Sequence, residues 1–312
     1  GGIFQFIWLG FALGRDGIFL HLRMPRLTPE VKKLLRLMLP VALGAGVYQI
    51  NILVDLVIGS LLPSGTISFL YYADRVNQLP LGVVGIAVAT ALLPLLARQI
   101  RAGNEAEALA SQNRAVEFAM ALTIPAAFAL VAAAQPIIIV LFGRGAFNEA
   151  AQTATGWTLA AYALGLPAYV LVKILSTGYF AREDTKTPVK VAVIALCINV
   201  VLNLVLMGPL AHVGIAIATS VSAWVNCALL AMGLRKNGRF RPDRQLRRSL
   251  PRVLAASVAM AAVVWGVSLA IGDMLTGSET VRFAMLGAIV ICGAVLYGAL
   301  AHLSGVVSIA DF

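Results

Sequence analysis

Charge is scarce in this chain. Of 312 residues only 12% are Asp, Glu, Lys or Arg, against 60% hydrophobic. With a mean hydropathy of +0.89, that balance excludes an ordinary water-soluble domain. Acid is scarcer than base, 14 residues against 24. There are three cysteines, Cys197, Cys227 and Cys292. Each sits in an apolar run at no metal-ligand spacing, and an odd count excludes a disulfide framework, so they read as small core residues. His21, His212 and His302 fall at segment ends and read as interfacial. No phosphate-binding glycine loop ending in Lys, no HExxH and no GxSxG is present. That removes the motifs of an ATP-driven pump or a hydrolase, and the chain is expected not to be an enzyme.

What the sequence has instead is length in its apolar runs. Crossing a hydrocarbon core as a helix takes about 20 residues, and complete runs lie at 37–62, 68–96, 116–142, 153–180, 188–207, 213–234, 253–271 and 281–303. A shorter one, "GGIFQFIWLGFAL" at 1–13, lacks an initiator Met and the basic start of a signal peptide, and reads as the end of a truncated helix. The fold class is therefore all-α and polytopic, with eight complete transmembrane helices plus one truncated. Short loops predict antiparallel neighbours. Prolines at 40, 94, 125, 136 and 167, with many glycines, predict broken, close-packed helices of the kind transporters use.

The net charge of +10 does not point to nucleic acid, because it is sorted by loop. Residues 15–36 carry six Lys and Arg, 98–114 three, 182–190 three and 235–252 eight, whereas the alternate loops hold only Arg144 and Arg282. That alternation is the positive-inside pattern and makes the basic loops, with the C-terminus, cytoplasmic. The densest, "LRKNGRFRPDRQLRRSLPR", is read as topology and contact with membrane-lipid headgroups.

Mid-membrane charge costs about 2.5–3.5 kcal/mol per residue on insertion scales, so each such residue is expected to face protein or a water-filled cavity. Four qualify: Asp55, Asp74, Arg75 and Lys173. In "FLYYADRVNQLP", steps of three and four align Ser68, Tyr71, Arg75, Gln78, Gly82 and Gly85 on one face. Asp74 and Arg75 point about 100° apart and cannot be a simple intrahelical pair. Two readings stay open, a buried ion pair to another helix and an Arg that touches solute. A second stripe holds Gly44, Tyr48, Asn51, Asp55 and Gly59. Asn199 pairs with Asn203 at i, i+4, and Thr219 aligns with Ser222 and Asn226. Such groups either tie helices together or gather round a lone carboxylate to bind a cation. Lys173 is either interfacial or in a cavity.

The segments "SGTISFLYYADRVNQLPLGVVGIAVATALLP", "LFGRGAF", "KILSTGYFAREDTKTPVK" and "GPLAHVGIAIATS" resemble the lipid II flippase family MurJ, also called MviN. The resemblance runs from residue 1 to about 240 and implies a MATE-like inner-membrane protein of the multidrug/oligosaccharidyl-lipid/polysaccharide exporter superfamily. Residues 1–13 would end family helix six and 14–36 form a basic cytoplasmic loop. Residues 37–234 would be the second six-helix lobe, 235–252 a second basic loop, 253–303 helices thirteen and fourteen, and 304–312 a cytoplasmic tail. The first lobe of the same protein is the implied partner. Arg75 falls on the second-lobe arginine that such proteins turn to the pyrophosphate of lipid II, with Asp74, Ser68, Tyr71, Gln78 and Lys173 as its expected companions. Many members carry an acid where Gln78 stands. The last two helices would offer a groove to the undecaprenyl tail.

The implied activity is flipping of lipid II from the cytoplasmic to the periplasmic leaflet by alternating access, with no covalent chemistry. No cofactor is required, and Na⁺ is the one candidate. The turn "GPLAHVG" folds the next helix back, so Asp55, Asn199, Asn203 and Thr219, with a backbone carbonyl near Ile215, are expected to form a monovalent cation site. Some members carry an acid in place of Asn203. The rivals are another exporter of the superfamily, for drugs or another polyprenyl-linked glycan, and a membrane enzyme acting on polyprenyl phosphates. The enzyme would need clustered acids or His at a membrane face, and the loops carry only scattered ones.

Overall fold

The computed structural model describes residues 2–15, 28–270 and 278–305. His21 and the 16–27 part of the first basic loop lie outside them, as do the surroundings of Gly44 and the side chain of Tyr48. The chain divides into two compact units, residues 1–39 and 40–312. The first contains α1 (Gly2–Arg15) and the opening turns of α2 (Pro29–Ser60). Along α1 the apolar side chains are exposed, Ile3, Phe4 and Phe6 each by 70% or more.

The second unit continues α2 and adds α3 (Thr66–Pro80), a π-helical segment Leu81–Ile86, α4 (Ala87–Arg101), α5 (Glu105–Ala132) and α6 (Ala134–Phe142). After these come α7 (Glu149–Ala163), α8 (Leu166–Phe180), α9 (Lys186–Lys236), α10 (Arg244–Ala270) and α11 (Glu279–Leu303). Among the described residues, six helices are long and apolar enough to cross a membrane. One of them, α9, is two arms joined at Ala211, whose φ of 47° and ψ of −127° are not helical. The expected runs 188–207 and 213–234 are those arms.

Proline places most of the breaks. Its ring clashes with the carbonyl four residues back. Pro136 thus blocks Ala132, where α5 stops, and the expected run 116–142 becomes two helices meeting at Ala133. Pro167 likewise stands four after Ala163, where α7 stops, and occupies the first turn of α8. Pro80 is followed directly by the π segment. Pro94 and Pro125 are carried inside α4 and α5.

One core joins Leu96, Ile174, Leu175, Leu230, Leu234 and Leu246, all at most 2% exposed. A second centres on Ile138, Leu159, Leu166 and Ile215. The third, Ala133, Met260, Val264 and Ile289, seats α10 and α11 on α5 and α6. Polar anchors cross these seams. Tyr179 Oη donates to the Leu230 carbonyl at 2.9 Å, Ser220 Oγ to that of Ala161 at 2.7 Å and Tyr297 Oη to that of Ala121 at 2.6 Å. In lipid, such bonds and close backbone approach replace the hydrophobic drive between helices. Of the cysteines only Cys227 is buried; Cys197 and Cys292 are exposed, which corrects the core reading. A small apolar side chain in a membrane helix loses nothing by facing lipid.

Candidate functional site

A cavity of about 670 Å³ opens between α2, α3, α7, α8 and α9. Its polar lining takes Asn51 and Asp55 from the α2 stripe and Tyr71 and Gln78 from the α3 stripe, and adds Asp74 of α3 with Thr219, Ser222 and Asn226 of α9. Lys173 of α8 also lines it. Gly85 makes room for that lysine, since a Cβ there would stand 3.3 Å from Lys173 Cδ and from Val170. Lys173 has no carboxylate partner among the described residues.

Two predicted residues lie elsewhere. Ser68 and Arg75 are exposed and outside the lining. The Arg75 guanidinium sits over the Tyr71 ring, 4.7 Å from its centroid, which holds the fork in place by a cation–π contact. Asp74 does not pair with its neighbour. It accepts a hydrogen bond from Gln78 one turn on.

Three polar cavity residues went unpredicted: Asn77, Tyr162 and Tyr169. Asn77 stands three after Asp74, so a helical step from that acid finds it. The tyrosines lie in apolar runs and give no such signal. The side-chain oxygens of Asn77 and Asn226 are buried without a hydrogen-bond partner among the described residues. In a cavity wall such an oxygen can accept from a donor that enters.

At the α2 side of the cavity, Asp55, Asn199, Asn203 and Thr219 come together. Asn203 Nδ2 donates to Asp55 Oδ1 at 2.7 Å and to Asn199 Oδ1 at 3.0 Å. Asn199 Nδ2 donates to Thr219 Oγ1 at 3.2 Å, and Asn51 Nδ2 to Asp55 Oδ2 at 3.3 Å. Thr219 Oγ1 lies 3.2 Å from Asp55 Oδ2 and 3.0 Å from the Ile215 carbonyl; its single proton serves one of them at a time. Both asparagines are fully buried. Among the described residues Asn203 Oδ1 has no hydrogen-bond partner, and no cationic side chain pairs with Asp55. The Asn51 and Asn203 amide nitrogens and the Thr219 hydroxyl face the carboxylate; with those amides turned about, their oxygens, the hydroxyl and the one carboxylate make a donor set that suits a hard monovalent cation.

The family described as Lipid II flippase MurJ matches residues 1–284. A Rhizobium meliloti protein named probable lipid II flippase MurJ is 48% identical over 264 residues, covering 85% of this chain and 49% of its own length. The Rhizobium tropici protein of the same name is 41% identical over 313 residues, covering 99% and 58%. This chain thus spans about half the length of the curated relatives it matches. Among solved structures, a lipid II flippase MurJ in an inward closed conformation superposes with a TM-score of 0.72 at 26% identity, over 90% of this chain and 56% of that one. An outward-facing multidrug resistance MATE family transporter of the MOP superfamily gives a TM-score of 0.55 at 17% identity, over 86% and 64%, a likeness of fold alone. By a match along most of its length and by relatives of this identity, the chain belongs to the MurJ family of lipid II flippases.

Proposed function

We propose that this chain supplies the second lobe of a transporter that moves lipid II from the cytoplasmic to the periplasmic leaflet of the bacterial inner membrane. One observation carries the reading: polar groups from five helices converge on one cavity in a chain of this family whose surroundings are apolar. Arg75 contributes the anion-binding fork. Held on Tyr71, exposed and outside the lining of this lobe's cavity, it would be open to the other lobe's surface. A guanidinium offers parallel donors to pyrophosphate oxygens, and in low dielectric that attraction is weakly screened. Lys173, Asp74, Gln78 and Tyr71 line the path beside it, and Ser68 lies one turn before Tyr71. The exposed apolar faces of α10 and α11, with Val258, Trp265, Val290 and Val295, suit the polyprenyl tail. Alternating access requires the cavity to open to one leaflet at a time, with no bond made or broken.

Cation coupling follows from the Asp55 cluster. Na⁺ bound there would neutralise the one carboxylate, and Asn199, Asn203, Thr219 and the Ile215 carbonyl would complete the oxygen shell. Binding in one conformation more tightly than in the other biases the transport cycle. The basic loops set the orientation, with the C-terminus cytoplasmic.

Complementation in flippase-depleted cells tests the reading. A full-length protein of the relatives' size is expected to restore growth, and residues 1–312 alone are expected not to. Rescue by residues 1–312 alone would sink the two-lobe assignment. An alkaline-phosphatase fusion after residue 305 is expected to be inactive; an active fusion would reverse the orientation.

A further inference from the structure

The densest basic loop is not merely a charged ribbon. Arg235, Arg241, Arg244 and Arg247, with Pro242, line a pocket of about 480 Å³ between the end of α9 and the start of α10. We propose that this pocket is a binding site for a phosphate group, separate from the transport cavity, and that it anchors the junction of α9 and α10 at the cytoplasmic face.

Electrostatics makes the case first. None of the four arginines has a carboxylate partner among the described residues. The one acid in the loop, Asp243, is already engaged. Its Oδ2 accepts from Arg114 Nη2 at 2.6 Å, and its Oδ1 accepts the Leu246 amide at 2.7 Å. Arg244 and Arg247 stand in the first turn of α10, a helix of 27 residues. The amide dipoles are already positive there, and a cation at that end is unfavourable. Asp243 caps this helix start but shares its charge with Arg114, so Arg244 and Arg247, with Arg235 and Arg241 close by, leave a surplus of positive charge that an anion relieves.

The second argument is that the arginines are presented rather than loose. The Asn113 side chain donates to the Arg241 carbonyl at 2.9 Å. Gly238, at φ 67°, turns the chain so that the Arg239 amide donates to the Leu234 carbonyl at 2.8 Å. Phe240 and Leu246 are buried in the same core as Leu234. The backbone that carries the arginines is thereby fixed on α5 and α9 before any ligand arrives, which lowers the ordering cost of binding.

Chemistry selects the ligand. Guanidinium forks on several sides match a tetrahedral group with three or four oxygens and at least one negative charge, and a carboxylate is too small and planar to use them all. The volume lies within the range of about 300–1,000 Å³ of small-molecule sites. The phosphate has two possible sources, an anionic lipid headgroup of the adjacent leaflet or a soluble phosphate.

The test uses full-length protein in neutral detergent at physiological salt, with affinity read from ligand-dependent thermal shift. The probes are dioctanoyl phosphatidylglycerol, inorganic phosphate and phosphate-free dioctanoylglycerol. Saturable response to phosphatidylglycerol alone assigns the site to a headgroup, and response to inorganic phosphate as well assigns it to free phosphate. In either case Arg241→Gln with Arg244→Gln is expected to weaken binding about tenfold or more. Arg235→Gln, at the exposed end of α9, where the loop bonds to its backbone carbonyl and not to its side chain, is expected to weaken it severalfold. Arg98→Gln with Arg101→Gln, which removes the same charge from another basic loop, is expected to leave it unchanged. The proposal falls if no probe binds saturably, if dioctanoylglycerol binds equally, or if the control pair weakens binding as much as the pocket variants.

Discussion

Asn203 meets Asp55 across 148 positions of sequence, amide to carboxylate at 2.7 Å, and this contact brings the first arm of α9 onto α2 at the cavity. Because the same carboxylate also takes Asn51 and lies beside Thr219, three helix segments depend on one charge.

The first prediction concerns that charge. In purified full-length protein, replacing choline with Na⁺ should raise the melting temperature. At ten times the dissociation constant the stabilisation is about 1.4 kcal/mol. Asp55→Asn keeps the shape and a hydrogen-bonding oxygen but removes the charge, and its melting temperature should not respond to Na⁺. An equal response in wild type and variant would eliminate the site.

Arg75→Ala should abolish rescue of flippase-depleted cells at normal membrane abundance, and Arg75→Lys, which keeps charge and loses the fork, should rescue in part. Asp74→Asn should cost less, because the Gln78 hydrogen bond survives with a neutral acceptor. Full activity of Arg75→Ala would remove the pyrophosphate role.

A third prediction tests the packing beneath the cavity. A Cβ on Gly233 would stand 2.3 Å from Tyr179 Oη, the atom that donates to the Leu230 carbonyl. Gly233→Ala should destabilise the full-length protein by about 1–3 kcal/mol, and Tyr179→Phe by about 0.5–1.5 kcal/mol. The double variant should be less unstable than the sum, because the Phe ring leaves space where the hydroxyl stood. Additive melting-temperature losses would contradict this geometry.

Ala211 gives a prediction of opposite sign. Its positive φ is a conformation that glycine adopts freely and alanine does not. Ala211→Gly should raise the melting temperature, with a gain of about 1 kcal/mol, provided the bend between the arms of α9 is kept.

The gathering of Asn199, Asn203 and Thr219 round Asp55 was legible in the sequence because each part obeyed a local rule: four-residue spacing for Asn199 and Asn203, and a short return through "GPLAHVG" for Thr219. Legibility failed where a face had to be matched to a neighbour. Helical spacing put Ser68 and Arg75 with Tyr71 and Gln78, yet the cavity takes the Asp74–Asn77–Gln78 side of α3. A helix's own periodicity says which residues share a face, and only the packed neighbours decide what that face meets. The split of the 116–142 run had a signal in Pro136, four residues after α5 ends at Ala132. Tyr162 and Tyr169 had none, since tyrosines within apolar runs equally describe a core.

The π segment after Pro80 has a consequence for heredity. An added residue inside a helix turns everything beyond it by about 100°, so α4 presents Leu92 and Leu96 to the core only because Leu81–Ile86 is wound wide. A deletion of one codon inside the wide turn would heal into α-helix and leave that register where it is, with Leu92 and Leu96 still on the core and Gln99 still beside Ser111. The same deletion a few positions on, between Ala87 and Ala91, meets no wide turn to absorb it and would swing the rest of α4 round by about 100°. A gene carrying that second lesion would yield a protein whose apolar run still inserts and whose helix no longer packs.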